Sequence, residues 1–151
     1  MPEKWVRLCA TFFYVGYAPF ASGTAASFVA FFIAILIHSS LLLYILVTGV
    51  ITYLGFKTSG EMEKLAGQKD PGCIVIDEVA GALIAVFLLP FQWPVLITAF
   101  FLFRAFDMFK IYPVNKLESA SGSVGVMMDD LVAGLYTNLI MQVAVRWAGI
   151  V

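Results

Sequence analysis

An all-α, polytopic membrane bundle, with about five hydrophobic helices behind an amphipathic N-terminal segment, is expected from three features of the chain. Hydrophobic residues make up 62% of the 151 positions and charged residues only 13%, well below the ~25% charged fraction of soluble domains. Two long runs, Leu8 to Phe56 and Val79 to Phe103, carry no Asp, Glu, Lys or Arg, and about 18 such residues suffice for a candidate membrane helix. The charges that do occur return between the apolar runs, as they would if alternate helix ends met water. The length suits one domain over residues 1–151.

Lys4 and Arg7 precede an apolar stretch reminiscent of a signal peptide. Gly16, Tyr17 and Pro19 interrupt it, so the segment is read as the amphipathic N-terminal piece. Gly23 to Ile37 and Leu41 to Phe56 read as helices joined by His38-Ser39-Ser40, a tight turn that makes them a hairpin. Each is about 24 Å long at 1.5 Å per residue, short for a ~30 Å hydrocarbon core but workable with local thinning. Lys57 opens a polar loop with a helical extension that ends at Pro71-Gly72. Cys73 to Leu89 reads as a third helix, Pro90 and Pro94 force a turn, and Val95 to Tyr112 reads as a fourth. Residues 115–125 form a small-residue loop before a fifth helix from Val126 to Val151. Cys9 and Cys73 lack zinc or redox spacing and read as packed apolar thiols.

Lys4, Arg7, Lys57, Lys64, Lys69, Arg104, Lys110 and Lys116 all fall at one end of the alternating segments, and only Arg146 among the charged residues falls at the other. The positive-inside rule then puts the charged end and the amino terminus in the cytoplasm. Net charge is −1, and neither RNP-like nor Cys/His finger spacing occurs, so nucleic acid is not an expected partner. No feature specifies an oligomeric state.

This threading brings Asp77-Glu78, Arg104/Asp107/Lys110 and Asp129-Asp130 to one depth on three helices. Acids near lipid usually face a bundle interior or watery cavity and are functional candidates by default. Arg104, Asp107 and Lys110 are spaced three apart and share one broad helix face, flanked by Phe103, Phe106 and Phe109; a salt-bridge ladder at a solvated helix end is the alternative. Five carboxylates gathered together would repel one another, and a divalent cation removes the conflict. An all-oxygen donor set favours Mg²⁺ or Mn²⁺ over zinc. The alternative for each acid pair is ordinary placement in a helix first turn.

Two shorter signals add to this. The "DEVAG" of residues 77–81 and the "DLVAG" of 130–134 each place a glycine four residues after an aspartate, which would let two helices approach closely. "SGTAAS" sets Gly23, Thr24 and Ser27 at a helix start, where amides and hydroxyls bind phosphate or simply cap the helix. Cations, cation-binding acids and an anion-binding helix start at one membrane face suggest phosphoryl chemistry on a lipid headgroup. No P-loop is present to suggest a nucleotide.

"SGTAAS", "DPGCIVIDEVAG", "FRAFDMFKIYPVNKLE" and "GVMMDDLVAGLY", in this order from Ser22 to Tyr136, resemble the phosphatidylglycerophosphatase A family of bacterial lipid phosphatases. The resemblance implies a Mg²⁺-dependent, multi-pass enzyme of the bacterial inner membrane that removes the terminal phosphate of phosphatidylglycerophosphate to give phosphatidylglycerol. It implicates Asp77 and Glu78, Arg104, Asp107 and Lys110, and Asp129 and Asp130. Ala26, Ile111 and Ser123 depart from the family pattern, but every charged position is kept. On this reading Asp77, Glu78, Asp129 and Asp130 hold the metal, with Glu78 a ligand or a supporting partner. Arg104 and Lys110, with Thr24 and Ser27, bind the phosphate, and Asp107 serves the attacking water. An alternative is a small membrane carrier or ion pathway, which would spread its acids along the membrane normal. A soluble helical binding domain is a further alternative, opposed by the mean hydropathy of +0.95.

Overall fold

The computed structural model describes residues 1–109, 112, 122–147 and 149. Among them are six α-helices, a 3₁₀ turn and no strand. The helices are α1 (Glu3–Ala10), α2 (Ser22–Ile37), α3 (Leu41–Ala66), α4 (Ile76–Ala85), α5 (Trp93–Phe109) and α6 (Ser123–Trp147), with the 3₁₀ turn at Val15–Tyr17.

The short α4 lies at the centre, packed against α2, α3, α5 and α6. Eight of its ten residues are buried. Its neighbours bury one stripe each and leave Phe28, Phe32, Leu42, Ile45, Ile97, Phe101 and Leu139 exposed on the outside. Apolar surface on that scale belongs to a molecule that contacts more than water. The amphipathic α1 lies against α3, burying Val6 and Ala10 while Trp5 stays exposed.

Contacts fix the two ends of the bundle. At one end the Val75 amide donates to the Ala10 carbonyl at 3.0 Å, Ser22 Oγ to the Gly72 carbonyl at 2.8 Å, and the Gly60 amide to Ser123 Oγ at 2.7 Å. At the other end His38 stacks on Phe91 with ring centroids 4.5 Å apart, and Arg146 lines the same hollow. The two cation-free turns and Arg146 therefore share one end, as the sequence implied, and the chemistry-bearing residues share the opposite one.

Several expected boundaries change. The polar segment after Lys57 is helical as far as Ala66, where Gly67 adopts φ 68° and its amide closes on the Glu63 carbonyl at 3.0 Å. Helix α5 begins at Trp93, with Pro94 tolerated in its first turn, and α6 begins at Ser123 rather than Val126. The third hydrophobic helix shrinks to ten residues, about 15 Å, which is too short to cross a bilayer alone. It stops ahead of Leu88, which takes a left-handed φ of 57°, and the carbonyls at and just past its end find partners elsewhere. Tyr44 Oη donates to the Leu83 carbonyl at 2.7 Å. Asn138 Nδ2 donates to the carbonyls of Ala85 at 3.2 Å and Phe87 at 2.7 Å, and Gln142 Nε2 to that of Phe87 at 3.1 Å. Of the roughly five hydrophobic helices expected, two among the described residues, α3 and α6, are long and apolar enough to cross a membrane; α2 is a shorter apolar helix.

Candidate active site

The crossing of α4 and α6 builds the site. A Cβ placed on Gly81 would enter the Asp130 carbonyl oxygen, and one placed on Gly134 would enter that of Gly81. The two glycines thus let backbone touch backbone, and the echoed "DEVAG" and "DLVAG" segments are the point of closest approach. One turn from that crossing stand Asp77 and Glu78 in the first turn of α4, facing Asp130 of α6. Carboxylate oxygens from these three residues lie within 4.8 Å of one another.

Asp77 and Asp130 are only 7% and 3% exposed. Burying three like charges together is costly unless a cation compensates. Asp77 Oδ1 and Glu78 Oε2 are buried without a hydrogen-bond partner, which leaves them open as ligands for a metal ion. The donor set, three carboxylates without His or Cys, suits a hard divalent cation. These residues fit such an ion.

Asp129 is also buried, but its Oδ1 accepts from the Asp130 amide at 3.0 Å. Successive helical residues point about 100° apart, so the two aspartates cannot face α4 equally, and Asp129 stands outside the group of three. First-turn placement, the alternative for the acid pairs, holds for Asp77 and Glu78 in α4, although Val75 caps that helix without a side-chain bond. It does not hold for Asp129 and Asp130, which lie beyond the first turn of α6.

Arg104 approaches from α5, its Nη1 paired with Asp107 Oδ2, both side chains about one-sixth exposed at 16% and 17%. The i,i+3 ion pair of the alternative reading forms between Arg104 and Asp107, but mostly buried rather than on a solvated helix end. Asp107 acts electrostatically on both Glu78 and Asp130. Lys110 lies outside the described residues, as does Ile111.

The start of α2 closes the remaining side. A Cβ on Gly23 would overlap Glu78 Oε1 and stand 3.2 Å from Arg104 Nη1, so the missing side chain is what admits these groups. Ala21 precedes the helix in a left-handed conformation, φ 45°, without a side-chain cap. Thr24 is half-buried in the first turn. Ser27 is fully buried and donates to the Gly23 carbonyl at 2.9 Å. Of the positions that depart from the family pattern, Ala26 is wholly buried and Ser123 docks α6 on α3 through the Gly60 amide.

Sequence reasoning overlooked Tyr44, Asn138 and Gln142, which hold the end of α4 and hence the placement of its first turn. A signal existed for two of them: Asn138 and Gln142 are spaced i,i+4 on an otherwise apolar helix, and polar groups so placed seek a buried partner.

The arrangement can hold a divalent cation on three carboxylates beside a guanidinium and an open helix N-terminus, a combination suited to a phosphate ester. The sequence profile of the phosphatidylglycerophosphatase A family matches residues 8–145. A Bacteroides thetaiotaomicron protein named "Putative phosphatidylinositol-3-phosphatase" is 39% identical over 93% of this chain and 92% of its own. The Escherichia coli phosphatidylglycerophosphatase A is 33% identical over 89% of this chain and 80% of its own. The Haemophilus influenzae phosphatidylglycerophosphatase A is 34% identical over 63% and 57%. No solved structure matches the chain. With nearly its whole length covered by that profile, the chain belongs to the phosphatidylglycerophosphatase A family of phosphatases.

Proposed function

We propose that the protein is a Mg²⁺-dependent phosphatase of the bacterial inner membrane that hydrolyses phosphatidylglycerophosphate to phosphatidylglycerol and inorganic phosphate at the cytoplasmic face. The observation that carries this reading is the buried triad of Asp77, Glu78 and Asp130, with two orphaned oxygens, set against Arg104. The family match supports the substrate. The exposed apolar flanks and the two long apolar helices support the membrane setting.

Asp77, Glu78 and Asp130 would hold the Mg²⁺, with Asp129 completing the acid set behind them. A bound Mg²⁺ supplies Lewis-acid polarisation of the phosphoryl oxygens. Arg104 neutralises charge on the phosphate, helped by Lys110 and the first-turn amides of α2 around Thr24. Ser27 supports this turn from within. Asp107, held in place by Arg104, accepts a proton from the attacking water as the new P–O bond forms and the bond to the lipid glycerol breaks. The leaving glycerol oxygen then takes that proton from Asp107, which returns to its carboxylate form.

The 39% identical relative's name favours a second headgroup, phosphatidylinositol 3-phosphate. The test measures phosphate release from each lipid, with and without Mg²⁺, for wild type and Asp130→Asn. Expected is Mg²⁺-dependent release from phosphatidylglycerophosphate by wild type, lowered at least about 100-fold in the variant, the scale on which lost transition-state stabilisers act. Preferential release from the inositol lipid would move the assignment to that headgroup, and release unchanged by Mg²⁺ removal and by the substitution would end the metal-site reading.

A further inference from the structure

We propose that the groove between α2 and α5 is an acyl-chain site, which holds one chain of the lipid phosphomonoester whose headgroup sits at the carboxylate triad. This rests on the lipid-phosphatase reading above. The groove encloses about 360 Å³ and is lined by Phe28, Phe31, Ile97, Phe100, Phe101 and Trp93 among others, all apolar side chains. Phe100 forms its floor, with ring centroids 4.4 Å from Phe28 and 5.4 Å from Phe31.

Its position identifies the occupant. Helices α2 and α5 meet at Gly23 and Arg104, where the proposed phosphate site lies. Phe28 follows that contact by about one turn along α2, and Phe100 and Phe101 precede it by about one turn along α5. The segments just after α2 and just before α5 meet again at the far end, where His38 and Phe91 stack. The groove therefore runs from the guanidinium into the apolar part of the bundle. From Arg104 to Trp93 the helix rises about 16 Å. A cation about one turn beyond the groove and a wholly apolar lining match one molecule: an anionic lipid with its headgroup at the triad and a chain between the helices. Phe28, Ile97 and Phe101 are more than half exposed on the groove walls, so they can select chain length without holding the fold together.

The experiment compares dioleoyl and dihexanoyl phosphatidylglycerophosphate as substrates for wild type and Ile97→Trp, which adds bulk to the wall. The variant is expected to raise KM for the dioleoyl lipid about tenfold, the equivalent of roughly two methylenes losing their contacts, with kcat kept. KM for the dihexanoyl lipid should stay within about twofold, since a chain that short leaves most of the groove empty. Equal changes for both lipids, or none for either, would overturn the groove assignment. A wild type that hydrolyses neither lipid would instead count against the proposed reaction. In that case the groove is read by photolabelling with the same phosphomonoester lipid carrying a diazirine on its chain. Label on α2 and α5 that Ile97→Trp removes supports the site, and label spread evenly over α3 and α5 refutes it.

Discussion

Gly23 separates function from stability at a single position. A methyl group there first meets the ends of Glu78 and Arg104, two flexible side chains that can swing aside, and alanine in a helix is favoured over glycine by up to about 1 kcal/mol. Gly23→Ala is therefore expected to leave thermal unfolding in detergent unchanged or slightly raised. It should lower phosphate release about 100-fold, because a displacement of about an ångström at reacting groups is enough for that. A variant with normal activity would show that Glu78 and Arg104 need not hold their present positions. At this scale the acids could be found in the sequence, since an ionisable residue in an apolar run has few reasons to be there. The division of labour between Asp129 and Asp130 could not, because it depends on which of two neighbours faces α4.

Helix crossings govern the next level. Gly81 and Gly134 meet backbone first, and backbone cannot yield without moving a whole helix. Gly134→Ala should destabilise by about 1–3 kcal/mol, the usual range for overpacking, and should weaken Mn²⁺ binding by drawing Asp130 away from Asp77 and Glu78. Gly55→Ala provides the contrast. A Cβ there meets the flexible end of Met127, so its effect on unfolding temperature should be the smaller of the two. Equal unfolding temperatures for these variants would mean that α4 and α6 are not in backbone contact. The repeated Asp-to-Gly spacing announced this crossing. The brevity of α4 went unannounced, because the groups that end it, Asn138 and Gln142, lie more than 50 residues along the chain from the carbonyls they hold.

For the whole molecule, the separation of the charged end from the His38 and Phe91 end makes orientation testable. With Cys9 and Cys73 replaced by serine, a cysteine at Ser39 should react with a membrane-impermeant maleimide added outside intact cells. A cysteine at Gln68 should react only after the membrane is opened. The reverse pattern would place the triad on the outer face and contradict the cytoplasmic assignment, which follows from the distribution of Lys and Arg. Composition, the charge-free runs and the return of charge between them were enough to determine an all-helical chain with its clustered acids at one end, because hydrophobic patterning and the cost of isolated charge act locally along the sequence. Tertiary structure alone decided that α4 is a short central helix, that Asp77, Glu78 and Asp130 form the triad, and that a glycine in α2 makes room for Glu78 and Arg104. Those outcomes depend on which surfaces meet when distant segments pack, and a linear pattern does not encode the angle at which two helices cross.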